Sequence, residues 1–581
     1  MHSSSNFLGA ESSFGFGLLN ESRLRLGKGG IKMRETAWRR LTMNRRVASA
    51  IGAMTMLWLA ALLSTDAVAE DAAKAAGCSP GSDIACTALG GVRGVVEGET
   101  LAFKNIPYAE PPVGARRWKP PVPAAAWDGV RDGSRFGAIC PQSISGEVKG
   151  EEDCLYLNVW RPKEKPTQPL PVMVWLTGGG NHSYSGQGSP GFGGVAYNGQ
   201  QLVPQGVVFV SYNLRLGALG FLAHPALDAE NPDRISGNYG SLDQIAMLQW
   251  VHRNIEAFGG DPNRVFLFGT SAGGGNICAL MTSPLSKGLI HGVSMQSSVP
   301  AGCEMQTVAN AEAGTGARVA KSLGCETAPE IAMCLRGKSV TEIVTAAPGT
   351  FTVLGRVYGP NVDGHIFPDQ PIKLIAEGRC PAMPAIVGNT AGETSGWADS
   401  AGKVMDEASY ASAIDKVFGS APRESILALY PSAAYASPRQ AFAQLTTDAE
   451  FTCASRRVAA ALSRVQKQPV YRYLFTRALE NDPEQKALGP VHTVEHPFFF
   501  AWQGRYRPSD GDRAIQKLMT GYWTRMAKTG NPNGDGDPEW PQAAAGGNSY
   551  IEIGASVLAG NGAAASHCDF WDKTPMLWPH I

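Results

Sequence analysis

The stretch Val265-Phe266-Leu267-Phe268-Gly269-Thr270-Ser271-Ala272-Gly273-Gly274-Gly275 decides how this chain folds. Four apolar residues with a β-branched start predict a buried strand. Glycines then turn the chain into Asn276-Ile277-Cys278-Ala279-Leu280-Met281, which reads as a helix. The turn spells G-x-S-x-G around Ser271. A strand–turn–helix setting holds such a serine on a tight bend with its hydroxyl pushed out of the sheet. Small residues are required on both sides, because a Cβ there would collide with the neighbouring backbone. The helix behind Ser271 points its partial positive end at any oxyanion formed at the bend. A glycine-rich turn whose serine only caps the helix would carry the same letters. With 68 glycines in the chain, the motif therefore needs its context and its partners.

Working outward, Val172-Met173-Val174-Trp175-Leu176 is a continuous apolar strand of the kind buried on both faces, and it runs into Thr177-Gly178-Gly179-Gly180-Asn181. Leu155–Trp160, Val207–Asn213 and Ala385–Asn389 read as further core strands, and Val470–Phe475 as the last clear long one. A helix is predicted from Tyr239 to about Ala257. Strands and helices alternate from about 155 to 300, which implies a parallel sheet with helices on both faces. Residues 305–380 and 400–465 read as mostly helical. Nearer the start, Val92–Glu99 looks like a hairpin. The proline-rich Ile106–Gly114 is predicted as an extended surface segment. No repeat or low-complexity linker interrupts the chain after residue 69, and one domain over 70–581 with helical insertions fits better than two.

A serine hydroxyl is a poor nucleophile at neutral pH and needs a base within hydrogen-bond reach, itself oriented by an acid. Glu393 ends the Ala385–Asn389 strand through Thr390-Ala391-Gly392 and is the leading acid, with Asp363 and Asp399 as lesser candidates. Four histidines lie beyond it. His492 sits in a glycine- and proline-bearing loop after the last clear strand, where a base belongs. His496 opens the run Pro497-Phe498-Phe499-Phe500 and reads as a packed or capping residue. His567 and His580 belong to the tail. Backbone N–H donors for a developing oxyanion are expected from Ala272 and from Gly179 and Gly180. Asn181, His182 and Tyr184 follow those glycines and are expected to face the substrate.

Arg45-Arg46, an uncharged run from Val47 to Thr65 and Ala67-Val68-Ala69 have the three parts of a secretory signal peptide, cleaved after Ala69. A membrane anchor is the competing reading, but the apolar core is short for a span. Met33 or Met43 is the expected true start. Eleven cysteines in an exported chain imply disulfides formed in a secreted or periplasmic setting. The odd count leaves at least one thiol unpaired or paired between chains, and Cys278 on the helix behind Ser271 is the expected free one. Charged residues make up 18% and the formal net charge is +0, so nothing argues for nucleic acid or an anionic membrane. No His/Cys/Asp cluster has ligand spacing, and neither a metal nor an organic cofactor is implied.

With these pieces placed, residues 88–581 resemble the type-B carboxylesterase family of cholinesterases, bacterial para-nitrobenzyl esterases and fungal lipases. Glu152-Asp153-Cys154-Leu155-Tyr156-Leu157-Asn158-Val159 and Phe268-Gly269-Thr270-Ser271-Ala272-Gly273-Gly274 carry the likeness most specifically. Asn213–Gly217, Asn238–Gln244, Phe258–Pro262 and Tyr522–Pro532 support it. The resemblance implies an α/β-hydrolase fold, with a large, mostly parallel central sheet, helices on both faces and helical insertions. It implies a serine carboxylesterase working through an acyl-enzyme on Ser271, with Glu393 as acid, His492 as base, and Gly179, Gly180 and Ala272 as oxyanion donors. It also implies the disulfides Cys140–Cys154, Cys325–Cys334 and Cys453–Cys568; spacing adds Cys78–Cys86. Three departures stand out. Thr270 replaces the glutamate that many members carry before the serine, which removes a carboxylate from near the base. Thr177 stands where many have histidine or tyrosine, and Asn181 where they have an aromatic residue. The loop from Cys140 to Cys154 has no tryptophan, which disfavours choline esters. An interfacial lipase and a silent adhesion member are the alternatives within the family. As an esterase its partner is a small-molecule ester, with no span expected in the mature chain; the natural ester and the oligomeric state are not encoded legibly.

Overall fold

The computed structural model describes residues 78–574, apart from 191–193, 299–302, 354, 356 and 503. The expected signal peptide, its cleavage after Ala69, the start at Met33 or Met43, and His580 lie outside the described residues.

Eleven strands form the central sheet: β1 Val95–Glu97, β2 Thr100–Pro107, β3 Tyr156–Pro162, β4 Leu170–Leu176, β5 Val208–Tyr212, β6 Gly260–Thr270, β7 Gly292–Gln296, β8 Ala385–Thr390, β9 Val470–Phe475, β10 Ser549–Ile553 and β11 Val557–Asn561. Their spatial order is β11-β10-β9-β8-β7-β6-β4-β5-β3-β2-β1. Every pairing from β5 through β4, β6, β7, β8 and β9 to β10 is parallel. Antiparallel strands finish both edges. The principal helices are α1 Tyr239–Asn254, α2 Ala272–Thr282, α3 Val340–Ala346, α4 Cys453–Val465 and α5 Asp510–Thr529.

The reason for the continuous apolar runs is visible in β4. Val172, Val174 and Leu176 enter one core with Ile245, Leu248 and Ile277 of α1 and α2. Met173 and Trp175 enter the opposite core with Met519 and Trp523 of α5. Period-two alternation thus feeds two apolar layers, and neither face of β4 is left for water. The second layer is aromatic: the Trp175 ring lies 4.9 Å from Phe268 and 5.1 Å from Phe500. Such pairs contribute about 0.5–1.5 kcal/mol each beyond the area they bury.

Three of the stretches that carry the family resemblance are held by ion pairs of buried arginines. Arg215 Nη2 donates to Asp243 Oδ1 at 2.6 Å and Nε to Oδ2 at 2.9 Å, joining Asn213–Gly217 to α1. Arg117 forks onto Glu152 at 2.7 and 2.6 Å and also donates to the carbonyls of Arg336 and Lys338, which ties the disulfide loop to the segment entering α3.

Disulfides join Cys78–Cys86, Cys140–Cys154, Cys278–Cys303, Cys325–Cys334 and Cys453–Cys568. Cys278 is therefore not the free thiol; Cys380 is. A small buried residue was correctly expected on α2, but Cys303, from the segment after β7, lies against that helix. Three local readings also change. The first hairpin turns at Gly98-Glu99 and pairs β1 with β2. Ile106, Tyr108 and Ala109 are buried rather than superficial, because Tyr108 Oη reaches inward to donate to Asn213 O at 2.6 Å. The β10–β11 hairpin extends the sheet beyond Val470–Phe475. Among the described residues no helix is long and apolar enough to cross a membrane.

Candidate active site

Ser271 sits between the end of β6 and the start of α2 with φ 56° and ψ −127°. L-residues pay about 1–3 kcal/mol to hold such a conformation, so the surroundings must enforce it. They do so from both sides. The Ser271 N–H donates to Gln296 O at 2.9 Å, at the end of β7, and Ser271 O accepts from the Gly275 N–H at 3.1 Å. The carboxyl end of β4 presses against the bend: a Cβ on Gly273 would lie 2.0 Å from Leu176 O, and one on Gly269 2.4 Å from the same atom. Those two glycines of the motif are sterically obligatory.

The turn after β4 lies against the same bend, since a Cβ on Gly178 would meet Ser271 Cβ at 3.0 Å. Gly179, Gly180 and Asn181 have φ of 87°, 61° and 59°. This left-handed run turns the chain sharply after β4. Gly179 O accepts from the N–H groups of His182 and Ser183, both at 3.0 Å, and Asn181 O accepts from the Gly217 N–H at 2.7 Å. The N–H groups of Gly179, Gly180 and Ala272 donate to no described residue. Three unspent N–H donors thus lie in the two segments that meet at this bend, one of them in the first turn of α2.

Glu393 lies just beyond β8 and is fully buried. Its Oε2 is 2.5 Å from His492 Nδ1, and its Oε1 accepts from the Thr390 N–H at 2.7 Å. Main-chain bonds stitch the two loops together: His492 N donates to Glu393 O at 3.2 Å and Gly392 N to Pro490 O at 3.0 Å. Nδ1–H on the carboxylate fixes the tautomer that leaves Nε2 free. Trp397 and Phe451 hold the ring, with centroids 4.9 and 5.4 Å away. The acid and the imidazole are therefore joined. Among the described residues His492 makes its side-chain hydrogen bond to Glu393 and none to Ser271; contacts of that kind often tighten only around substrate.

The other candidates are occupied elsewhere. Asp363 accepts from Asn238 Nδ2 and from the N–H groups of His365, Ile366 and Phe367. Asp399 pairs with Arg439 at 2.9 Å. His567 Nδ1 is 2.8 Å from Asp448. His496 is a packed residue, its ring 5.3 Å from Trp175, and burial aided by the neighbouring His492 pulls its imidazole down to about 3. Thr177 donates to Tyr197 Oη at 3.3 Å. Asn181 faces away from the expected pocket: Asn276 Nδ2 of α2 donates to its Oδ1 at 2.8 Å, bracing the glycine turn against the helix.

Sequence reading missed Glu495. Its carboxyl is fully buried and accepts from Tyr473 Oη at 3.3 Å and Ser297 Oγ at 3.4 Å, while its Oε2 has no partner. Burial first, and the charge of Glu393 second, push it up to about 8. The carboxyl lacking at Thr270 thus has a counterpart arriving from the histidine loop, uncharged at neutral pH. Its placement three residues after His492 was the only signal, and its partners come from distant strands.

Beside the glycine turn opens a cavity of about 820 Å³. His182, Ser183 and Tyr184 form one wall, the Cys140–Cys154 loop a second, and Val344 of α3 with Ala347, Phe351 and Tyr358 a third. Ser271, Glu393 and His492 do not line it; it comes nearest the glycine turn at His182, whose Nε2 a Cβ on Gly180 would meet at 2.8 Å.

The chain matches the Carboxylesterase family over residues 82–571. It is 34% identical over 501 residues to the fumonisin B1 esterase of Sphingopyxis macrogoltabida, covering 83% of this chain and 88% of that one. It is 32% identical over 477 residues to the para-nitrobenzyl esterase of Bacillus subtilis (strain 168), covering 79% and 92%. To human cocaine esterase it is 32% identical over 515 residues, covering 81% and 86%. A solved para-nitrobenzyl esterase superposes with TM-score 0.73 at 30% identity, covering 84% of this chain and all of that one. An α/β-hydrolase sheet, a strained serine between glycines and this breadth of likeness agree: the chain belongs to the carboxylesterase family and is a carboxylic ester hydrolase.

Proposed function

We propose that residues 70–581 are one catalytic domain in which Ser271 is the nucleophile, His492 the base and Glu393 the acid. Ser271 Oγ attacks the ester carbonyl while His492 Nε2 takes its proton. The carbonyl oxygen, now negative, is met by the N–H groups of Gly179, Gly180 and Ala272. His492 returns the proton to the departing alcohol, which leaves an acyl-enzyme. Water, deprotonated by the same imidazole, then attacks the acyl carbon and releases the acid and Ser271. Glu393 holds the tautomer and stabilises the imidazolium that forms twice in each turnover.

The observation that carries this reading is the 2.5 Å contact of Glu393 with His492 Nδ1; the strained serine and the unspent N–H groups of Gly179, Gly180 and Ala272 support it. Turnover of para-nitrophenyl butyrate by the wild type, and its loss in Ser271→Ala and His492→Ala with folding retained, is the test. Activity surviving in His492→Ala near the wild-type rate overturns the assignment.

The chain is further proposed to be exported through its N-terminal signal, with cleavage after Ala69 into a secreted or periplasmic enzyme. Five disulfides support an oxidising destination. N-terminal sequencing of the mature protein decides it: a sequence starting at Glu70 fits, and one retaining residues 47–65 does not.

A further inference from the structure

The polar groups walling the 820 Å³ cavity are mostly engaged already. The Gln142 amide clasps the backbone of Tyr184 in both directions, at 2.9 and 2.7 Å. Tyr358 Oη donates to Ala347 O at 2.6 Å, Gln187 Nε2 to Gly137 O at 2.7 Å and Ser183 Oγ to Gly179 O at 3.0 Å. Among the described residues lining the cavity, only His182 has a fully buried side-chain nitrogen or oxygen without a partner, its Nε2. Buried polar atoms are normally satisfied, and one that is not calls for a reason.

Sterics set where that nitrogen points. A Cβ on Gly349 would lie 2.0 Å from His182 Cγ, so only glycine there admits the ring. Its other edge sits over Gly180, whose Cβ would meet His182 Nε2 at 2.8 Å and Phe351 Cε1 at 3.5 Å. The Phe351 ring packs beside the imidazole, 4.9 Å away between centroids, yet Phe351 is itself 46% exposed. A large apolar side chain so exposed moves at little cost in buried area. Burial also pulls the His182 imidazole down to about 4, so it is neutral at pH 7 and suits an uncharged partner.

We propose that His182 determines specificity for one arm of the ester: a bulky, mainly apolar arm enters the cavity, takes the place of the Phe351 ring edge and accepts a hydrogen bond from His182 Nε2–H through an uncharged oxygen. The substrate class is thus an ester whose larger arm is apolar but carries an ether, carbonyl or hydroxyl oxygen. This rests on Ser271 being the nucleophile, and it adds which substituent reaches that serine well.

The test compares esters that differ only by oxygen for methylene. On the acyl side these are para-nitrophenyl phenoxyacetate and para-nitrophenyl hydrocinnamate; on the alcohol side, phenoxyethyl acetate and phenylpropyl acetate. The readout is the ratio of kcat/KM within each pair, which cancels general damage to the enzyme. In one of the two pairs His182→Phe lowers the oxygen-to-methylene ratio about fivefold relative to wild type, the range of one neutral hydrogen bond. His182→Gln, which keeps a donor, restores most of it. Gly349→Ala, which displaces the ring, lowers it as His182→Phe does. Ratios in His182→Phe within about 1.5-fold of wild type for both pairs overturn the proposal. Wild-type protein that hydrolyses none of the four esters faster than Ser271→Ala would instead overturn the Ser271 assignment, and the proposal with it.

Discussion

Replacing Glu495 by glutamine isolates the energetic cost of a buried acid beside the reactive pair. The carboxyl titrates near 4.5 when free and is pushed up to about 8 in the folded chain. Below its unfolded value both states hold the proton, and the native fold has its full share of stability. As pH rises the unfolded chain releases its proton first, while the native state keeps it next to Glu393. The native state therefore loses stability, by up to about 1.4 kcal/mol per pH unit, until the folded value is passed. Glutamine has nearly the shape of the neutral acid and does not titrate, so Glu495→Gln lacks this loss. Denaturant unfolding with disulfides intact, run on both proteins from about pH 5 to pH 9, reads the difference directly. Titrations of groups that do not couple to Glu495 cancel in that difference. The stability of Glu495→Gln relative to wild type is expected to climb between pH 5 and 8 and then level. A difference that stays constant across the range would refute the reasoning, because it would mean that Glu495 ionises alike in both states.

Glu393→Gln keeps the shape of the acid but not its charge, and kcat is expected to fall about 10³- to 10⁴-fold in a para-nitrophenyl butyrate assay, with KM little changed. Gly273→Ala forces a Cβ to within 2.0 Å of Leu176 O and is expected to lower the melting temperature and abolish turnover together. Removing the Cys278–Cys303 bridge as a double alanine variant opens a loop spanning 25 residues and costs about 3.5 kcal/mol of stability, measured by denaturant unfolding. Thiol titration of the denatured, unreduced mature chain is expected to find one reactive group, Cys380.

Much of this architecture could be read directly because the parallel strands are apolar on both faces. Val172–Leu176 and Val265–Phe268 announce themselves as runs, and the glycines that follow them mark the strand ends where ligands meet backbone. The hairpin of β10 and β11 gave no such signal. Its outer strand carries Ala559, Gly560 and a largely exposed Leu558, so it has no hydrophobic run to detect. Glu393 was legible because it follows a core strand by a fixed short turn. Glu495 was not: Tyr473, Ser297 and Glu393 surround it from three parts of the chain, and no local pattern encodes that meeting. Cys278 failed for the same reason, since its partner at 303 is set by how the segment after β7 returns to α2. Asn181 was placed correctly in the turn but not in orientation, because its contact with Asn276 depends on the distance between two separate strand ends.

The groups proposed to react come from the carboxyl ends of parallel strands of one sheet: Gly179 and Gly180 after β4, Ser271 and Ala272 after β6 and Glu393 after β8, with His492 on the loop after β9. That arrangement explains why the strain at Ser271 persists. Leu176 O, at the end of β4, lies where a Cβ on either Gly269 or Gly273 would strike it, and the Ser271 N–H is fixed to Gln296 O at the end of β7. Relaxing the φ of 56° would pull the bend off both neighbours and break the register of a sheet whose faces are packed by two apolar cores. The conformational cost is held by the rigidity of three adjacent strands rather than by any one contact. A lone replacement in the aromatic layer should accordingly disturb Ser271 less than a single added methyl at Gly269 or Gly273, even though the aromatic change removes far more buried area.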